Sequence, residues 1–131
     1  MRLALPFLLF PLAAGAQDAM TAEEFEAFAE GRTLAFSTGG PAYGMETYCP
    51  GRRVRWTAGG REHEGVWYPE GPDICFRYED RQSYPDERCW RFERTPGGLR
   101  GRLVSDPSDR RDYHARALAE PAECRGPVPI S

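Results

Sequence analysis

The sequence predicts a mostly β fold: a small antiparallel meander, closed as a barrel or folded as a sandwich, with one short N-terminal helix and two disulfides. Three observations carry that expectation. Short runs of alternating apolar residues recur between Gly, Pro and Asp breaks along most of the 131-residue chain, as antiparallel strands and their turns do. Cys49, Cys75, Cys89 and Cys124 form an even set downstream of an export-type leader, and in an oxidising compartment such a set reads as disulfides. A single stretch near the start carries a helix start, an apolar repeat and a stop.

The leader comes first. Residues 1–16 begin with Arg2, continue as an apolar run from Leu3 to Ala14, and end in Ala14-Gly15-Ala16, the small-residue pattern that signal peptidase accepts. The run is shorter than the ~20 apolar residues of a membrane-spanning helix, and Pro6 and Pro11 interrupt it. The expected mature chain is one domain, residues 17–131, periplasmic or secreted and with no stable membrane anchor.

Thr21-Ala22-Glu23-Glu24 opens the helix. Thr21 can cap it and Glu24 stands three residues on, as a capping box requires. Phe25, Phe28 and Ala29 recur at helical spacing, and Gly31 is a natural stop. The helix is therefore expected from about Ala22 to Glu30.

Strands follow, each read from its apolar side. The sets are Leu34 and Phe36; Tyr43, Met45 and Thr47; Val54 and Trp56; Val66 and Tyr68; Ile74, Phe76 and Tyr78; Trp90 and Phe92; Leu99 and Leu103; and Tyr113, Ala115 and Ala117. Gly39-Gly40-Pro41, Pro50-Gly51, Gly59-Gly60, Pro69 to Pro72, Pro96-Gly97-Gly98 and Asp106-Pro107 separate them. No repeat and no second domain is visible. The end, with Pro121, Pro127 and Pro129, is expected to run extended along the surface. Aromatic residues outnumber Leu, Ile and Val in the mature chain, so the interior should be built largely of rings, each burying ~150–250 Å².

The stretch from Ile74 to Trp90 places a cysteine at each base of a polar loop. With Ile74–Glu79 and Arg88–Glu93 as paired antiparallel strands and Cys75 opposite Cys89, Ile74 faces Trp90 and every even-numbered apolar residue lands on one side. Directly opposed β-carbons lie ~4.5–5.5 Å apart and a disulfide needs ~3.5–4.5 Å, so Cys75–Cys89 is the expected staple. Cys49–Cys124 is left, tying an early strand to the tail. The other two pairings, Cys49–Cys75 with Cys89–Cys124 and Cys49–Cys89 with Cys75–Cys124, remain open.

The chemistry-bearing residues exclude more than they assign. The formal net charge of −3 argues against a nucleic-acid partner and against attraction to anionic lipid. All of the basic side chains are Arg. Without a CxxC pair the cysteines do not have zinc-ligand spacing, and no metal or cofactor is expected. There is no GxSxG elbow and no phosphate loop. His63, between Glu62 and Glu64, and His114 read as surface histidines. Ser105 and Ser108 stand in an acidic turn with Asp106, Asp109 and Asp112, a capping pattern rather than a triad.

Gly65-Val66-Trp67-Tyr68, Ile74-Cys75-Phe76 and Cys89-Trp90 together resemble a pattern of small exported bacterial proteins of unknown function: a G-x-W strand, a C-F/Y strand, then a C-W/Y strand. G-x-W is also reminiscent of lipocalin-like barrels, where it lies on the first strand; here it lies mid-chain. The resemblance implies an exported β fold and no particular activity.

The function expected from the sequence is a monomeric, non-enzymatic binding module acting through protein–protein contact, of which a hydrolase inhibitor is one concrete form. Its contact residues would be Arg81 and Tyr84 on the stapled loop, residue types common at interfaces. The alternative is a carrier of a small apolar ligand, with Trp56, Trp67 and Trp90 around a barrel cavity.

Overall fold

Thr21 and Glu24 close the capping box that starts the chain's helix: the Glu24 amide donates to Thr21 Oγ1 and the Thr21 amide to Glu24 Oε1, both at 3.1 Å. The helix, α1, spans Ala22–Ala29. The computed structural model describes residue 6 and residues 19–124. The leader expectation for residues 1–16, residue 6 apart, and the last part of the extended end lie outside the described residues.

Eight strands follow: β1 (Thr33–Ser37), β2 (Gly44–Cys49), β3 (Arg53–Ala58), β4 (Arg61–Glu70), β5 (Asp73–Tyr78), β6 (Arg88–Thr95), β7 (Gly98–Leu103) and β8 (Tyr113–Ala117). Each pairs antiparallel with the next, and β8 returns to β1 through Leu34 opposite Ala117 and Phe36 opposite Ala115. The meander is thus a closed barrel, not a sandwich, and closure leaves no sheet edge among these strands.

Both expected disulfides form. Cys75 stands directly opposite Cys89, with Ile74 opposite Trp90, and their Cα atoms are 4.0 Å apart. Cys49–Cys124 joins the end of β2 to the tail, with Cα atoms 5.6 Å apart. Two such bonds are the chemistry of a compartment outside the reducing cytosol. Among the described residues no helix is long and apolar enough to cross a membrane.

The helix closes one end of the barrel. Phe25 is fully buried; its ring stacks on Phe92 at 5.2 Å and meets Tyr48 and Trp67 edge-on at 5.5 and 5.1 Å. Arg32 and Arg94 flank Phe28 at 5.0 and 4.2 Å from its ring centre. On the outside the tail crosses β1 to β3. The Ala122 amide donates to Thr33 Oγ1 at 2.8 Å and Arg55 donates to the Glu123 carbonyl at 3.1 Å. That cover explains why Thr33, Thr47 and Arg55 are buried although they face away from the barrel interior.

Two strands carry the opposite face inward from the one expected. In β2, Met45 is 40 % exposed, whereas Glu46 is 1 % exposed. Glu46 lies between the inward residues Leu34 and Trp56 in the ladder; the barrel's register places it, not local hydropathy. In β4, Trp67 is buried and Val66 and Tyr68 are half-buried on the outer side. Gly65 shares the inward side with Trp67, and a β-carbon there would lie 2.6 Å from the Arg77 carbonyl oxygen and 2.8 Å from the Tyr78 ring. The inward position had to be glycine because another backbone and ring approach so closely.

Candidate functional site

Alternation along the strands aims Phe36 of β1, Glu46 and Tyr48 of β2, Trp56 and Ala58 of β3, Phe76 and Tyr78 of β5, and Arg88, Trp90 and Phe92 of β6 at one interior space. Tyr43 and Tyr84 reach it from the β1–β2 and β5–β6 loops, and together these residues line a half-open chamber of about 240 Å³. Tyr48, Phe76 and Phe92 also touch Phe25, so these three rings form a floor between the helix and the chamber. A glycine makes room for the wall. A β-carbon on Gly44 would fall 2.3 Å from the Trp56 ring, so only glycine lets that indole lie flat across β2.

Glu46 is the exceptional residue here. The Tyr78 hydroxyl donates to Glu46 Oε1 at 2.8 Å. Glu46 Oε2 and the Tyr48 hydroxyl are both buried and have no hydrogen-bond partner among the described residues. Such groups are rare in folded proteins, because leaving one unsatisfied costs ~1–3 kcal/mol. Burial pushes the Glu46 carboxyl up to about 8; nearby Glu64 adds to the rise and the Tyr78 hydrogen bond opposes it. Glu46 is therefore mainly neutral at pH 7. Burial, with the Glu46 charge next, also pushes the Tyr48 and Tyr78 phenols well above their ordinary value, so both remain donors.

The mouth is aromatic too. Trp56 Nε1–H donates to the Tyr84 hydroxyl at 3.1 Å. Tyr84 lies 5.0 Å from the Tyr78 ring and 5.0 Å from His63, and His63 Nδ1 is 3.5 Å from Asp80 Oδ2. Asp80 in turn holds the loop, accepting from the Gln82 and Ser83 amides at 3.1 Å each. His63, expected on the surface, has a side chain only 10 % exposed, because its position in β4 shares the inward face with Gly65 and Trp67.

The residues nominated from sequence part ways. Tyr84 turns inward and covers the chamber, whereas Arg81 is exposed and donates to the Pro85 carbonyl of its own loop at 2.9 Å. Trp56 and Trp90 line the chamber. Trp67 lies below it, against Phe25 and with Arg52 over its ring at 4.6 Å. His114 is exposed on the outer face of β8. In the acidic turn, Asp109 accepts from Arg111 at 3.0 and 2.9 Å and from the Tyr113 hydroxyl at 2.6 Å. Its oxygens are engaged in holding the entry to β8. Glu70, Cys75 and Cys89 also cluster, but both sulfurs are in the disulfide.

Glu46 and Tyr48 were missed from sequence. The available signal was Gly44: a glycine inside a strand marks a close approach, and its side of the strand also carries Glu46 and Tyr48.

Fold and site define a class: a closed eight-stranded antiparallel barrel, plugged by a helix at one end, with an aromatic chamber and a buried carboxyl inside. No family model, curated protein or solved structure matches the chain.

Proposed function

We propose that the protein is an exported, non-enzymatic binder of one small ligand, held inside the barrel beneath Tyr84. The observation that carries this is the chamber itself: about 240 Å³ of ring-lined space whose lining includes Glu46 and Tyr48, each carrying a buried polar atom without a partner among the described residues. Ligand sites are typically apolar concavities with a few convergent polar groups. The inward turn of Tyr84 favours an interior ligand over a protein gripped by the loop, because that side chain is already engaged with Trp56. Size limits the ligand. An apolar cavity of roughly 150 Å³ accepts benzene, so this chamber suits a single ring with a short arm.

The test is titration of the full exported chain with single-ring probes, following the emission of the tryptophans. A saturable change is expected, and Ala58→Phe, which fills the mouth, should abolish it while the melting temperature stays high. If no single-ring probe gives a saturable change, the chamber is not a ligand site.

A further inference from the structure

We infer that the ligand is a small organic cation: a primary ammonium on a single-ring body, with its N–H groups directed to Glu46 Oε2 and the Tyr48 hydroxyl oxygen. The inference rests on the interior-ligand function proposed above and assigns its chemistry.

An ammonium has three donors and no acceptor. Glu46 and Tyr48 line the chamber, and each carries a buried oxygen without a partner among the described residues. Rings form much of the chamber's lining. Phe36 and Tyr43 pack on Trp56 at 5.8 Å each, and Trp90 stacks on Phe92 at 6.0 Å; aromatic faces attract cations. Other ligand classes fit less well. A hydrocarbon fills the space but leaves both oxygens unsatisfied, the costly arrangement. An anion would be drawn to Arg88 and would hold the neighbouring Glu46 carboxyl neutral; comparison with a phenylpropanoate probe tests that rival. A diamine would bring its second charge to Arg88, which lines the same chamber. One positive charge beside Glu46 and an uncharged body toward the mouth is the pattern that brings a donor to both oxygens.

The step has a proton balance. Without ligand the Glu46 carboxyl is protonated at neutral pH, because burial raises it to about 8. Seating an ammonium converts it to carboxylate and sends its proton to solvent. The other titratable or charged groups around it are Tyr43, Tyr48, Glu64, Tyr78, Tyr84 and Arg88. The Tyr48 and Tyr78 phenols, pushed up by burial, stay protonated across the neutral range. Binding of an amine should therefore tighten about tenfold per pH unit from pH 6 toward 8 and then level off, while the amine itself stays charged to roughly pH 10.

The experiment compares three probes of similar size by calorimetry on the full chain: 2-phenylethylammonium, propylbenzene and 3-phenylpropanoate. The amine is expected to bind at least about tenfold tighter than propylbenzene at pH 8, releasing close to one proton at pH 7. Glu46→Gln should shrink that preference to within about twofold. Tyr48→Phe, which deletes only a hydroxyl, should shrink it several-fold and serves in its place if Glu46→Gln does not fold. If propylbenzene or phenylpropanoate binds as tightly as the amine, or if the preference survives both substitutions, the cation assignment is wrong while the interior-ligand function stands. If none of the three binds, both fall.

Discussion

At the scale of single residues, Glu46 sets how stability responds to pH. Its carboxyl ordinarily titrates at 4.5 and in the folded barrel at about 8. Between those values the unfolded chain has released the proton and the folded chain retains it. Stability therefore falls as pH rises through the window, and the loss is complete above the folded value. At ~1.4 kcal/mol per unit of pKa, the whole effect is a few kcal/mol. Urea unfolding at pH 5 and pH 9 should show the wild type losing stability that Glu46→Gln does not lose; equal losses in the two proteins would remove Glu46 from the account. This residue was illegible in the sequence for a definite reason. Which side of β2 faces inward depends on Leu34 and Trp56 across the ladders, and locally Tyr43, Met45 and Thr47 make the more apolar set. Tyr84 was legible as a loop residue, but its direction depends on Trp56 and His63, which lie far from it in sequence.

Among the elements, α1 and the β5–β6 hairpin were the most legible, because their signals are local. Thr21 and Glu24 define the helix start within four residues, and the parity of Ile74, Phe76, Trp90 and Phe92 fixes the hairpin face and so the Cys75–Cys89 pairing. What α1 packs against was not legible. Phe25 fits among Tyr48, Trp67, Phe76 and Phe92, rings from β2, β4, β5 and β6, and no sequence pattern announces a plug. The substitution Phe25→Ala should cost about 3–5 kcal/mol, read as a lowered urea midpoint. A cost under about 1 kcal/mol, the range of a surface change, would mean that the helix is an appendage rather than the closure of the barrel.

For the whole molecule, the sequence left barrel and sandwich open because closure is a property of strand tilt and stagger summed over the sheet, visible only where β8 meets β1. The two crosslinks act at this scale, and unequally. Cys49–Cys124 spans 75 residues and Cys75–Cys89 spans 14. By chain entropy the longer loop is worth about 4.5 kcal/mol and the shorter about 3. Paired Cys→Ser replacement at 49 and 124 should therefore lower the unfolding free energy more than the same replacement at 75 and 89; the reverse order would show that the hairpin staple holds the fold more than the tail does. The plug at Phe25 has a kinetic consequence as well. If the chamber holds a ligand as proposed, a base shut by Phe25 leaves the mouth beside Tyr84, among the described residues, as the route both in and out. Arrival and departure then share a single gate. Loosening that gate without disturbing the lining would speed both in proportion, so dwell time would depend on the loop as well as on the grip inside.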